Sequence, residues 1–285
     1  MEFDTAYNRW KVDAIQFDFG SPGSLVVPGA SKFGGSPDLP QDFAWPVFTP
    51  PGQKAHPLTF LVQIDCEQIF ALDVDGLLPR TGRLYFFYDT QSQPDGCAPA
   101  HRGSCYVYYD HSDPSTLIPF PAPDDLPDQC IFPAIPLHFE STPNLPGEEL
   151  LPLYMGEDFV QRYHGRELID LRTALGVMPA KLCKLLGYPD AIQGDMLTQC
   201  EQIAGRGLSP KDTLHDLTPE QQKQLQEDAM DWMLLFQLDS LCINSRHCKN
   251  FSLSFGRDGR LFIYIRRQDL ALQRFDRCWC ILQSY

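Results

Sequence analysis

The chain contains the same strand pattern twice, and this repetition limits its fold more than any other feature. In each copy, an apolar run ending in Gln-[Ile/Leu]-Asp is followed by a glycine turn and a run rich in aromatic and β-branched residues. The first copy is LTFLVQID at 58–65 with GRLYFFYD at 82–89; the second is MLLFQLD at 233–239 with GRLFIYIR at 259–266. Such composition is typical of strands. Two copies are too few and too far apart for a solenoid, so we predict two similar, mainly antiparallel sheets about a pseudo-twofold axis.

The 285 residues are expected to form a single domain with internal repeats at approximately 58–89 and 232–266. Short helices are predicted late in the chain, at 167–175, at 179–186, and from Thr218 to about Met230. The prolines within 130–137 indicate an edge strand, because proline has no N–H to donate within a ladder. Strands combined with a few short helices place the chain in the α+β class.

Gln63 and Gln237 are the polar residues of otherwise apolar strands, and two interpretations are open. Each amide is held by backbone hydrogen bonds, since an unpaired buried amide costs about 1–3 kcal/mol. Alternatively, both amides line a cleft on the pseudo-axis, together with Asp65 and Asp239, which end the same strands.

The formal net charge of −14 is concentrated in one part of the chain. Residues 103–161 contain ten Asp or Glu and ten prolines but no Lys or Arg. A region with this charge repels nucleic acid and anionic membranes and attracts cationic partners. We therefore expect neither nucleic acid nor membrane as a partner.

The sequence contains no catalytic signature, and we predict that the protein is not an enzyme. Gly-x-Ser-x-Gly, His-Glu-x-x-His, phosphate-loop and dinucleotide-binding motifs are absent. The ten cysteines include no Cys-x-x-Cys pair, so we expect neither a metal nor a cofactor. The N-terminus has neither the basic start nor the apolar run of a signal peptide, which predicts a cytoplasmic protein with reduced thiols.

Several segments, which follow one another in order along nearly the whole chain, resemble sequences of the YwqG family. They include SKFGG at 31–35, FLVQID at 60–65, LGYP at 186–189 with QGD at 193–195, LLFQLD at 234–239, and the C-terminal stretch 279–285. The segment 242–255 and the acidic centre depart from the family pattern. The resemblance implies the family's fold but transfers no catalytic residue.

Members of this family include immunity proteins that bind and neutralise a cognate toxin domain. The resemblance therefore implies that this chain is such a protein, and its acidic region suits a toxin with a basic active-site face. The alternatives are a small-molecule-binding or enzymatic domain that uses the cleft of Gln63, Asp65, Gln237 and Asp239, and an intracellular scaffold. The predicted partner-binding residues are Asp110, Asp113, Asp124, Asp125, Asp128, Glu148, Glu149, Glu157 and Asp158.

Overall fold

A computed structural model describes residues 2–177, 182–209, 217–243 and 251–285. Its strands are β1 (Val12–Phe19), β2 (Lys32–Phe33), β3 (Asp38–Leu39), β4 (Val47–Phe48), β5 (His56–Pro57), β6 (Thr59–Asp65), β7 (Arg83–Tyr88), β8 (Cys105–Asp110), β9 (Ile118–Pro119), β10 (Ile135–Asn144), β11 (Lys184–Leu185), β12 (Trp232–Asp239), β13 (Leu241–Ile243), β14 (Phe251–Leu253), β15 (Arg260–Arg266) and β16 (Trp279–Gln283). Its α-helices are α1 (Glu2–Asn8), α2 (Cys66–Ile69), α3 (Leu151–Met155), α4 (Glu157–Arg162), α5 (Gly165–Ala174), α6 (Met196–Cys200), α7 (Pro219–Ala229) and α8 (Arg267–Ala271).

One large antiparallel sheet dominates the protein, so the prediction of two separate sheets is wrong. Its ten strands follow the order β16-β15-β12-β11-β1-β10-β2-β6-β7-β8. The strands β6, β7 and β8 lie at one end, and β12, β15 and β16 lie at the other. The ladder between β1 and β10, which runs from Val12↔Asn144 to Phe19↔Leu137, joins these two halves. Because this ladder is continuous, the two halves form a single sheet. The repeated segments alone suggest two sheets.

The sheet is rolled, so that its halves face each other and its edges approach. Phe86 of β7 stacks on Phe236 of β12, with ring centroids 4.3 Å apart. At the edges, Ser104 Oγ lies 3.3 Å from Cys280 Sγ. The backbone N–H of Leu282 in β16 donates to the carbonyl of Asp95, which blocks part of an edge that otherwise offers free backbone groups.

Both faces of the repeated strands are covered, which explains their continuous apolar sequences. Every residue of β6 and β12 is buried except the last, Asp65 or Asp239. Phe43 and Trp45, in the long loop before β6, pack on the outer face of one half. Met196 and Leu197 of α6 pack on the outer face of the other. A strand covered on both faces needs no alternation of polar and apolar residues.

The predicted helices have different outcomes. Thr218 and Gln221 form a reciprocal capping box at the start of α7, which ends at Ala229 with Met230 as its C-cap, close to the predicted end. The helix α5 (Gly165–Ala174) covers most of the predicted stretch at 167–175. The prediction of a helix at 179–186 is wrong for its described part, because residues 184–185 form β11. Residues 178–181 lie outside the described part of the chain. No helix of the described ranges combines the length and apolarity that crossing a membrane requires.

The prediction of an edge strand at 130–137 is also wrong. The strand β10 begins at Ile135 and lies inside the sheet, between β1 and β2. Its pairing with β2 is only two residues long and includes Pro136, opposite Lys32. A ladder this short accommodates a proline in an interior strand, because few N–H groups are needed.

Candidate functional site

Two buried clusters, each of a lysine, an aspartate and a glutamine, join the repeated strands β6 and β12 to the segments that precede them. In the first cluster, Lys32 Nζ donates to Asp38 Oδ2 at 2.6 Å. The Gln63 side chain accepts from the Asp38 backbone N–H at 2.8 Å and donates to Asp38 Oδ2 at 3.0 Å and to the Ala30 carbonyl at 2.9 Å. Burial alone would raise the pKa of Asp38, but the hydrogen bonds from Lys32, from the Gly29 N–H and from Gln63 outweigh it and lower that pKa.

The second cluster repeats these contacts with Lys184, Asp190 and Gln237. Lys184 Nζ lies 2.7 Å from Asp190 Oδ2. Gln237 accepts from the Asp190 N–H at 2.9 Å and donates to Asp190 Oδ2 at 2.8 Å and to the Leu182 carbonyl at 2.9 Å. Burial lowers the pKa of Lys184, although Asp190 opposes that shift. Corresponding residues in the two halves therefore lie in corresponding contact, with the lysine hydrogen-bonded in the first cluster and ion-paired in the second.

A short motif that the sequence reasoning missed supplies both lysines and both aspartates. Residues 32–38 read KFGGSPD and residues 184–190 read KLLGYPD, which share the pattern Lys-x-x-Gly-x-Pro-Asp. Gly34 and Leu186 both have a φ of 60°, and the following Gly35 and Gly187 have φ of 69° and 72°. Two successive left-handed residues turn the chain back so that the aspartate reaches the lysine. A search for a second copy of the first lysine segment would have found this signal.

The four residues proposed to line the alternative cleft contact other groups of the fold instead. Both glutamine amides are fully buried and bonded to backbone groups, as the first interpretation stated. Asp65 caps α2 through the Glu67 N–H, and Asp239 lies 3.2 Å from Arg260 Nε. Burial raises the pKa of both carboxyls, while Arg83 and Arg260, respectively, oppose the shift. Both glutamine amides are therefore engaged in the fold, and each of the two aspartates has a contact through one of its carboxylate oxygens.

A pocket elsewhere in the molecule is smaller than a typical small-molecule site. It encloses about 180 Å³ between β1, β12 and the segment around α3, below the usual range of roughly 300–1,000 Å³. Tyr154, Tyr188 and Trp232 contribute its aromatic walls, and Arg267 lies at its side. None of the four proposed cleft residues lines it.

The nine predicted partner-binding acids do not lie on one element, and two of them are largely buried. Asp110 ends β8, is 5% exposed and accepts a hydrogen bond from Ser112 Oγ. Glu149 lies in the 3₁₀ turn Glu148–Leu150, and burial raises the pKa of its carboxyl to about 7. Neither offers a surface charge of the kind that the sequence predicted.

Other predicted acids are exposed and form two groups. Asp113, Asp124, Asp125 and Asp128 lie between β8 and β10. Glu148 and Asp158 lie near α3 and α4, after β10. Glu157 begins α4, and its side chain lies outside the described part of the structure. The first group, with the chain that carries it at 113–131, is called the acidic loop below.

An open groove adjoins the acidic loop. It encloses about 560 Å³ and is lined by Asp128, Gln129, Ile131, Phe132, Pro133, Phe251 and Ser252. Ile131 is 46% exposed, and Ile118 on the same loop is 42% exposed. The acidic loop therefore presents apolar side chains beside its carboxylates.

Comparison with known proteins gives a family but no activity. The model of a domain of unknown function, DUF1963, matches residues 31–284. That assignment is consistent with the YwqG-like resemblance. No curated protein matches the chain. Because the match includes both Lys-x-x-Gly-x-Pro-Asp segments and nearly all of the ten-stranded sheet, the chain belongs to the DUF1963 family.

Proposed function

We propose that this protein binds and neutralises a toxin domain with a basic face, and that the acidic loop makes the contact. The observation that carries the proposal is the uncompensated charge of this loop. Asp113, Asp124, Asp125 and Asp128 are exposed, and no Lys or Arg of the described residues forms an ion pair with them. No Lys or Arg occurs anywhere in 103–161.

Apolar side chains on the same loop support a protein rather than a small cation as the partner. Ile118 and Ile131 are exposed, and the groove beside Ile131 continues this apolar surface. Protein interfaces typically combine an apolar centre with a polar rim.

The acidic loop is held in place before any partner arrives. Its strand β9 pairs with β3, and the Phe120 N–H donates to the Pro37 carbonyl at 2.7 Å. Leu126 and Cys130 are buried beneath it. Because little chain has to be ordered on binding, more of the contact energy is available for affinity.

An inhibitor that binds its target stoichiometrically needs a complementary surface and no catalysis. Opposite charges steer such partners together, with association rates up to about 10⁸–10⁹ per molar per second at low salt. An acidic loop suits this role if the toxin has a basic site to be covered.

The experiment begins with the partner that co-purifies with the tagged chain from its native cell, identified by mass spectrometry. The loop variant reverses charge at three positions: Asp124→Lys, Asp125→Lys and Asp128→Lys. The control variant reverses three exposed acids elsewhere, Glu148→Lys, Asp158→Lys and Glu167→Lys, so both variants change the net charge equally.

Association rates are then measured from low to high salt. We expect the loop variant to associate at least about tenfold more slowly at low salt and to lose most of the salt dependence, while the control stays near the parent. If the loop variant associates and protects cells as the parent does at every salt concentration, the acidic loop is not the contact.

A further inference from the structure

Three arginines converge on one pocket, in a protein whose net charge is −14. The pocket encloses about 310 Å³ where β15 meets α8. Arg102, Arg266 and Arg277 line it with a single acid, Asp269. The remaining lining residues are Ala204, Gly205, Trp232 and Gln268. The lining thus contains three positively charged side chains and one negatively charged side chain.

Two of the guanidinium groups are fixed against tryptophan rings. The guanidinium of Arg102 lies over Trp279, 5.3 Å from the ring centroid, and donates to the Ala204 carbonyl at 3.0 Å. Arg266 lies over Trp232 at 5.1 Å. A planar guanidinium stacked on an indole has fewer conformations to lose when it binds a ligand. The pocket is therefore preorganised.

The backbone beneath the pocket is shaped around Arg266. Residues Glu201–Gly205 form a π-helical turn, a geometry that is rare and frequently found at functional sites. It brings Glu201 Oε2 within 2.6 Å of Arg266 and 3.0 Å of Trp232 Nε1. A Cβ at position 205 would lie 2.4 Å from Glu201 Oε2 and 2.6 Å from the Arg266 guanidinium, so a side chain there would displace the ion pair of these two residues.

Most of the donors in the pocket remain available to a ligand. A guanidinium carries five N–H donors. Among the described residues, Arg102 uses one on a carbonyl, Arg266 one on Glu201, and Arg277 one on Asp269, at 3.2 Å. Arg102 has no carboxylate partner in the described part of the chain. Its charge is thus left uncompensated at the mouth of the pocket.

We propose that this pocket binds the oxyanion group of a small molecule, a phosphate or a carboxylate. Guanidinium groups match the oxygen spacing of both groups and bind them with charge-assisted hydrogen bonds. Asp269 holds Arg277 in place, and Glu201 does the same for Arg266. The pocket is positive and the acidic loop is negative, so the two are separate sites for different partners.

The test is isothermal titration calorimetry of the purified chain with pyrophosphate, and separately with citrate, at constant ionic strength. The pocket variant is Arg102→Gln. The control is Arg80→Gln, because Arg80 also stacks on an aromatic ring, that of Phe70, at 5.3 Å and is not part of the pocket. Thermal melting of both variants checks that they fold.

We expect saturable binding of one anion per chain, about tenfold weaker in Arg102→Gln, which corresponds to about 1.4 kcal/mol, and unchanged in Arg80→Gln. Binding of pyrophosphate alone assigns the site to phosphates, and binding of citrate alone assigns it to carboxylates. If neither anion binds, or if Arg102→Gln binds as the parent does, the proposal is wrong. Arg277→Gln provides a second pocket variant should Arg102→Gln fail to fold. The acidic-loop variant should bind the anion normally, which keeps this result independent of the toxin partner.

Discussion

At the scale of single residues, Glu149 shows how a charge in the sequence differs from a charge on the surface. Its Oε1 is buried without a hydrogen-bond partner among the described residues. Burial, together with the charges of Asp190 and Asp195, raises the pKa of the carboxyl to about 7, although Arg172 opposes the shift. The neighbouring Glu148 is exposed. A count of acids cannot separate the two, because burial depends on how the turn packs.

Glutamine at position 149 should stabilise the protein at high pH. The folded pKa is raised, so the folded state binds more protons than the unfolded state between pH about 4.5 and about 7. Stability is therefore lost as pH rises through that window. Glu149→Gln keeps the neutral form, so its melting temperature should exceed that of the parent at pH 8 and equal it near pH 4.

Glu148→Gln is the control for that measurement, since its carboxylate is already in water. We expect it to follow the parent at both pH values in thermal melts. Equal pH profiles for Glu149→Gln and Glu148→Gln would show that Glu149 is ionised without cost in the folded protein.

Residue-level chemistry was partly predictable from the sequence. A glutamine in an apolar strand has to find backbone partners, and Gln63 and Gln237 do so. The lysines of both clusters were not anticipated, because a lone lysine in a loop is usually solvated. Their partners become visible only when the two Lys-x-x-Gly-x-Pro-Asp segments are compared.

At the scale of elements, that motif depends on its glycine. A Cβ at Gly187 would lie 2.7 Å from Ala14 Cβ and 2.8 Å from Asn144 Oδ1, and its φ of 72° is left-handed. Gly52 has a φ of 73° but no atom within 4 Å of such a Cβ. Alanine substitutions at these two glycines therefore distinguish the energetic cost of backbone strain from the cost of steric overlap.

Alanine should cost more at position 187 than at position 52. We expect Gly52→Ala to lower the free energy of unfolding by about 1–2 kcal/mol, from the left-handed backbone alone. Gly187→Ala should lower it by a further 1–3 kcal/mol or so, because β1 and β10 would have to shift. Urea unfolding curves measure both values. Similar losses at the two positions would mean that the turn at Gly187 relaxes freely.

Helix prediction succeeded where local chemistry decided the outcome. The reciprocal bonds of Thr218 and Gln221 stabilise the start of α7 from within the segment. Lys184 and Leu185, by contrast, pair with β1 on one side and β12 on the other. Partners so distant in the chain override local propensity. That is why a helix expected there is a strand.

At the scale of the whole molecule, the repeated strands identified both halves of the sheet but not how they join. The joining strands, β1 and β10, share no sequence pattern like that of β6 and β12. Only their ladder, which begins at Val12↔Asn144, makes the sheet continuous. The repeated motif does not occur in β1 or β10, so it could not predict that these two strands pair.

The rolled sheet should unfold as one unit. Phe86 and Phe236 stack across the two halves, and one apolar cluster contains residues of both. We expect tryptophan fluorescence and far-ultraviolet circular dichroism to give superimposable urea transitions. Two resolved transitions would show that the halves are energetically separate.

The position of β1 also has a consequence for the newly made chain. This strand is synthesised well before both of its partners, because β10 begins at Ile135 and β11 begins at Lys184. At a synthesis rate of roughly 5–20 residues per second, β1 waits on the order of ten seconds for either ladder. During that time Ile15 and Phe17, which are buried in the finished protein, have no strand to pair with. We therefore expect a chaperone to bind the nascent β1 segment during this time.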